Sequence, residues 1–426
     1  MRDQDSNAGA GGTPTLGRSL HLAPLAGRGR PHPTLPHPWG RVGWGRVRGP
    51  LRESEPVDSS PHPDPLHSPS QTGVNALMAS GEREKCPAAF PGLTRRRAIR
   101  IVAAAAGLPL MIAAVRATAP SGQLFGWQGE VLGALSELTL WHTDAALAQR
   151  TILRVRGEIA RHEGIFSLYR EDSEISRLNA AGTLSKPSPE LRGLVEESQR
   201  FSLLSEGAFD ISVQPLWRLY EAHFWSHSDI QPDILARAHD VARDLVDFRQ
   251  IDIGNARIAF ARAGMGVTLN SVAQGFITDA IADLLRNEGF ASAVVDLGEF
   301  RTLGRHPDGH PWRIGIRNGM AGDIARTVEL EDMALAVSGG YGTTFEPTGR
   351  FHHIFDPHTG ASANSLVDVA VIGPRATSAN GLSTAICVAG EDRAPALLAA
   401  YPGMRAILTR PDGTAVTIPA ASATAT

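Results

Sequence analysis

A chain of 426 residues, 42% hydrophobic and 20% charged, can bury a large core. Its formal net charge is −3, but the first 119 residues hold 15 Lys and Arg against 8 Asp and Glu, leaving 26 against 36, close to −10, for the rest. That balance argues against a nucleic-acid or anionic-membrane partner, and because only Cys387 of the two cysteines lies beyond residue 119, an internal disulfide there is excluded.

Residues 20–70 are crowded with Pro, His, Gly and Arg and show neither a two-residue nor a 3.6-residue apolar period, so they cannot bury enough surface to fold. Residues 1–77 therefore read as a disordered extension, or as sequence ahead of a true start at Met78. From 78 to 119 the layout is that of an export signal. Basic residues Arg95, Arg96, Arg97 and Arg100 precede an apolar run from Ile101 to Val115, and small residues Ala117 to Ala119 precede Pro120. The paired arginines are similar to a twin-arginine signal, although Ala98 stands where a large apolar residue is usual. The run is short for a bilayer span, and no Cys follows it for lipid attachment.

Residues 120–426 read as one domain. Leu138 and Leu140 alternate with Glu137, Thr139 and Trp141 as in a half-buried strand. Asp144 then caps a helix with the stripe Ala148, Ile152, Val155 and Ile159. Ser188-Pro189 starts a second helix that stops near Gly207. Asn270 opens a third, carrying Ala273, Phe276, Ile277, Ala280 and Ile281 on one face, with Gly289 as its stop. Strands are expected at 293–297, 312–317, 367–372 and 405–409, with Pro307-Asp308-Gly309 as a turn. Hairpin-like and helix-separated strands together predict an α+β architecture rather than a doubly wound parallel sheet.

Residues 350–360 concentrate special chemistry: His352 and His353, Asp356-Pro357, and Thr359-Gly360. Phe351, Ile354 and Phe355 can anchor a short strand that places two imidazoles at the end of a rigid element, while Gly360 supplies a turn position with positive φ. A packed strand-to-loop corner with one structural His fits the window equally well. Cys387, inside the apolar run 385–389, reads as a small buried hydrophobe.

Five blocks in order are similar to the exported ApbE-like FAD:protein FMN transferases, over residues 135–415. They are 166–179 (FSLYREDSEISRLN), 207–216 (GAFDISVQPL), 268–279 (TLNSVAQGFITD), 338–341 (SGGY) with 352–360 (HHIFDPHTG), and 380–385 (NGLSTA). The resemblance implies a periplasmic, Mg²⁺-dependent enzyme. It would cleave the pyrophosphate of FAD, transfer FMN to a Thr or Ser hydroxyl of an acceptor protein and release AMP. The acceptor it implies is a flavin-bearing subunit of a membrane electron-transfer or respiratory complex.

By the same resemblance, Tyr169, Ala208, Phe209, Asp210, Thr268, Gln274 and Ile354 contact the cofactor, and Ser271 (through its carbonyl), Asn380 and Thr384 hold Mg²⁺ with Ser383 beside them. His353 then stands near the chemistry, as a base toward the attacking hydroxyl or a donor to the phosphates. Asp356 is expected to fix its tautomer, with His352 on the opposite face. Read alone, Phe209 is core, Asp210 a turn residue, Tyr169 packing and 378–385 a capped helix start. The chain departs from the family pattern at Thr268, Gln274 and Asn380, where Asp, Lys and Asp are usual, so each site loses a charge. Those neutral residues leave a flavin carrier and an FAD pyrophosphatase open as alternatives.

Overall fold

The computed structural model describes residues 74–76, 122–225, 231–317, 319 and 323–421. The proposed start at Met78 and the export signal lie outside the described residues. The first elements are β1 (Val74–Ala76), β2 (Gln123–Val131), β3 (Ala134–His142), α1 (Ala145–Phe166), α2 (Glu174–Ala181), β4 (Thr183–Ser185), α3 (Pro189–Leu204), α4 (Gln214–Trp225), α5 (Pro232–Asp244), β5 (Ile251–Ile253) and β6 (Arg257–Phe260). They are followed by α6 (Ala273–Asn287), β7 (Ala293–Asp296), β8 (Phe300–Leu303), β9 (Trp312–Arg317), β10 (Ile324–Leu330), β11 (Ala334–Gly339), β12 (Asp368–Gly373), α7 (Ala376–Ala389), α8 (Ala394–Ala399), β13 (Arg405–Thr409) and β14 (Ala415–Ile418).

Eight strands form one sheet in the order β14-β13-β12-β11-β8-β7-β3-β2, and every neighbouring pair is antiparallel. With helices laid on it, the domain is α+β, as expected. Two three-stranded sheets accompany it, β1-β9-β10 and β4-β6-β5. Val74–Ala76 pairs with β9 along the edge that β10 leaves open.

Antiparallel sheets often leave one face to water, yet β11 and β12 are buried at every residue. The two-residue period explains this. Val369 and Val371 point to the helix side with Ile277, Ile281, Leu382 and Ile386. Ala370 and Ile372 point to the other side, where Trp312, Ile314 and Ile316 of β9 cover them. Each large side chain buried this way contributes about 1.5–3 kcal/mol.

Helix starts follow the caps in two cases: Asp144 Oδ1 accepts the Leu147 N–H at 3.0 Å, and Ser188 Oγ accepts that of Leu191 at 3.1 Å. The third start differs. α6 begins at Ala273 rather than Asn270, because the Leu269 carbonyl accepts the N–H of both Val272 and Ala273, at 2.9 and 2.7 Å, and inserts a turn. The expected strand around Phe351–Phe355 is also absent. Residues 350–360 form a loop stitched by single bridges at Thr344–His352 and Phe355–Ser362, and Gly360 has φ +73°. Among the described residues no helix is long and apolar enough to cross a membrane.

Candidate active site

A cleft opens where β11 and the turn after β7 meet the starts of α6 and α7, with loops 207–213 and 342–355 as the facing wall. α7 has Arg375 at its N-cap position with no side-chain cap of its own. Asp279 of α6 does that work. Its Oδ1 accepts the Ala376 N–H at 3.0 Å, and its Oδ2 accepts the Thr377 N–H at 2.9 Å and the Thr377 hydroxyl at 2.7 Å. Arg301 pairs with the same carboxylate deep in the interior, and Arg375 pairs with it from the surface side. The two helices touch at Gly275, where a Cβ would lie 2.5 Å from the Ala376 carbonyl oxygen. A carboxylate in the middle of α6 thus caps the start of α7 and fixes the position of Asn380 and Thr384 on it.

Along that floor the donors are all oxygen. Thr384 Oγ1 lies 3.0 Å from Ser338 Oγ, which is 2.7 Å from Ser383 Oγ. Asn380 Nδ2 donates to Glu299 Oε1 at 2.6 Å, and Asn380 Oδ1 faces the Gly275 N–H at 3.4 Å. Glu299 is fully buried, and its Oε2 has no partner among the described residues. Burial raises its carboxyl well above the usual carboxylate range; the Val337 N–H opposes this and the charge of Asp296 adds to it. The set of hydroxyl, amide and carboxyl oxygens, with the Ser271 backbone beside them, suits a hard divalent cation such as Mg²⁺.

The facing wall is held by backbone bonds and rings. Loop 343–360 folds back on itself through Phe345 N–H to Phe351 O at 2.8 Å and Ala363 N–H to Ile354 O at 2.9 Å. Beneath it, Phe345, Phe351 and Phe355 pack on Trp217, Tyr220 and Phe224 of α4. His353 Nδ1 lies 3.1 Å from the Thr343 carbonyl. A carbonyl only accepts, so Nδ1 carries the proton and Nε2 is left with a free lone pair. Burial pushes this imidazole down to about 4, with His352 adding to the effect, so it is neutral near pH 7.

Most of the expected residues gather here. Tyr169, Ala208, Phe209, Asp210, Thr268, Ser271, Gln274, His353, Ile354, Asn380 and Thr384 all line the cleft. Asp210 also behaves as the turn residue its local sequence suggests: it accepts from Ser212 N–H and Oγ at 2.7 and 2.6 Å and from Phe248 N–H at 3.0 Å. His352 turns away, as expected; it is buried against Gly340 with Nε2 3.2 Å from Asn364 Oδ1. Ser383 faces away too. Its hydroxyl is used by Ser338 and by the Asn380 carbonyl at 2.9 Å, so it supports the floor from behind.

Asp356 requires correction. It accepts the His358 N–H and the Thr359 hydroxyl, both at 2.9 Å, so it ties the turn, and the Thr343 carbonyl sets the His353 tautomer instead. Glu299 and Trp217 line the cleft from outside the five motif blocks, and Ser338 lines it from within one that carried no expected role for it. A signal for Glu299 was present: Asp296-Leu-Gly-Glu299 sets two acids around a glycine directly after an apolar strand. Blocks distant in sequence are tied by one side-chain amide and by backbone. Asn179 exchanges hydrogen bonds with Val267 at 2.8 and 2.7 Å, and the Thr268 N–H bonds the Ile211 carbonyl at 2.8 Å.

An oxygen-lined floor facing a neutral imidazole across one cleft is the arrangement of an enzyme for group transfer on a phosphorylated ligand. The model of the ApbE family matches residues 132–408, and the chain belongs to that family. Among curated relatives, the FAD:protein FMN transferase of Vibrio cholerae serotype O1 is 34% identical over 242 residues, 54% of this chain and 71% of that protein. That of Treponema pallidum is 32% identical over 305 residues, 66% and 83% of the two chains. Solved structures agree. The flavin transferase ApbE from Vibrio cholerae superimposes with TM-score 0.61 at 27% identity, covering 71% of this chain and 98% of that one. The apo flavinyl transferase ApbE of Pseudomonas stutzeri gives 0.60 at 29%, covering 70% and 95%.

Proposed function

We propose that this chain transfers FMN from FAD to a Thr or Ser hydroxyl of an acceptor protein in a Mg²⁺-dependent reaction that releases AMP. The observation that carries the reading is the neutral His353, its Nε2 open to a cleft whose opposite floor offers only oxygen donors. Thr384 and the Ser271 carbonyl would hold the cation, with Asn380 on the same floor, and the cation when bound offsets charge on the pyrophosphate oxygens. Tyr169, Ala208, Phe209 and Ile354 offer the apolar surface for the flavin ring.

His353 Nε2 takes the proton of the acceptor hydroxyl while that oxygen bonds to the FMN phosphorus. The bond from this phosphorus to the bridging oxygen breaks, and AMP leaves with that oxygen. The cleft walls hold the imidazole neutral, so it is ready to accept a proton at pH 7.

The test incubates the purified chain with FAD, Mg²⁺ and a Thr-containing acceptor domain and follows the intact mass of the acceptor. An FMN-sized gain abolished by EDTA is the expected result. Bound, unreacted FAD would mark a carrier instead, the alternative motivated by neutral Thr268, Gln274 and Asn380. The export layout at 78–119 supports a periplasmic site of action on a flavin-bearing electron-transfer subunit. Recovery of a chain cleaved after Ala119 from the periplasm checks that part.

A further inference from the structure

We infer that Glu299 supplies the negative charge of the cation site, with Asn380 as the residue that positions it. The inference rests on the transferase reading and assigns that site's charge to a residue outside the recognised motif blocks.

Three observations converge. Glu299 lines the cleft, is fully buried and leaves Oε2 without a partner, while Oε1 is held by Asn380 Nδ2 at 2.6 Å. A bare carboxylate oxygen in the interior is costly unless an opposite charge meets it. Among the described residues no Lys or Arg lines the cleft, and the buried guanidinium of Arg301 pairs with Asp279. In the empty site a proton can meet that oxygen; a cation from solution can take the proton's place, and Thr384 and Ser338 on the same floor add neutral oxygens.

Asn380, meanwhile, has both side-chain atoms engaged. The Gly275 N–H can only donate, so it takes Oδ1, and Nδ2 goes to Glu299. Its amide orients the carboxylate.

A carboxylate in place of that amide would set two acceptor-only groups at contact, and like charges so close cannot both ionise. The amide at 380 and the carboxylate at 299 are therefore a matched pair, in which the charge stands on the turn after β7 and the neutral partner on the helix.

The experiment titrates the purified chain with Mn²⁺ alone, by calorimetry and by the electron paramagnetic resonance signal of free Mn²⁺, in wild type, Glu299→Gln, Asn380→Asp and the double variant. Glu299→Gln is expected to weaken binding about ten- to a hundredfold. Asn380→Asp is expected not to tighten it, and the double variant to recover most of the wild-type affinity, because donor and acceptor have exchanged places. Wild-type affinity in a folded Glu299→Gln overturns the inference, as does tighter binding in Asn380→Asp alone, which decides the matter even if Glu299→Gln does not fold. Failure of wild type to release AMP from FAD with Mg²⁺ and acceptor would count against the transferase reading instead, and wild type that takes up no Mn²⁺ would remove both.

Discussion

The two sides of the cleft are built differently. The floor with Asn380, Thr384 and Glu299 stands on two helices and a strand turn locked by one buried carboxylate, Asp279, which satisfies two backbone N–H groups and two arginines at once. The wall with His353 is a loop without regular structure, held by a carbonyl and by aromatic packing onto α4. Rigid elements position the groups suited to phosphate charge, and a loop positions the group suited to move a proton. Changes to the floor should therefore act through stability and ligand binding together, whereas changes to the wall should act on rate.

The strongest break in that contrast is Asp279→Ala. It strands Arg301 and uncaps α7, and should destabilise the fold by about 3–5 kcal/mol, read from urea denaturation. On the wall, His353→Ala should lower the transfer rate about 10²- to 10⁴-fold with little change in urea midpoint or in FAD binding, measured by flavin fluorescence. A large loss of stability there would erase the distinction. Gly275→Ala should cost about 1–3 kcal/mol by overpacking against Ala376, again by denaturation.

Asp356→Asn should cost about 1 kcal/mol and leave the pH profile unchanged, because this carboxylate ties its own turn and does not touch the imidazole. The smallest effect is one of pH. His353 must be unprotonated to act, and its pKa is pushed down to about 4. kcat/KM should therefore show no loss from His353 on passing through the ordinary imidazole range near pH 6.5, and should fall only as pH approaches 4. An acid limb centred near 6.5 would place the imidazole in contact with water or a negative charge.

The same contrast governs how much was legible in the sequence. Caps and periods located α1 and α3 and the strands at 312–317 and 405–409, because propensity, pattern and tertiary packing agree there. The start of α6 misled, since an Asn with a good capping side chain lies inside a turn made by the Leu269 carbonyl. Loop 350–360 misled for a related reason: Phe351, Ile354 and Phe355 can anchor a short strand, but Phe351 and Phe355 pack into the aromatic cluster on α4 and Ile354 into the main core from a loop held by single bridges. The motif blocks identified the cleft residues well. They did not reveal which partners those residues choose, and so Ser383, Asp356 and Glu299 needed the structure.

The most direct measurement counts AMP and flavin-bearing acceptor in the same sample, after mixing the purified chain with FAD, Mg²⁺ and acceptor. Equal amounts of the two, with no AMP when acceptor is omitted, is the result the account predicts. AMP released without acceptor would show that water takes the FMN group, and would contradict the transferase reading of the cleft.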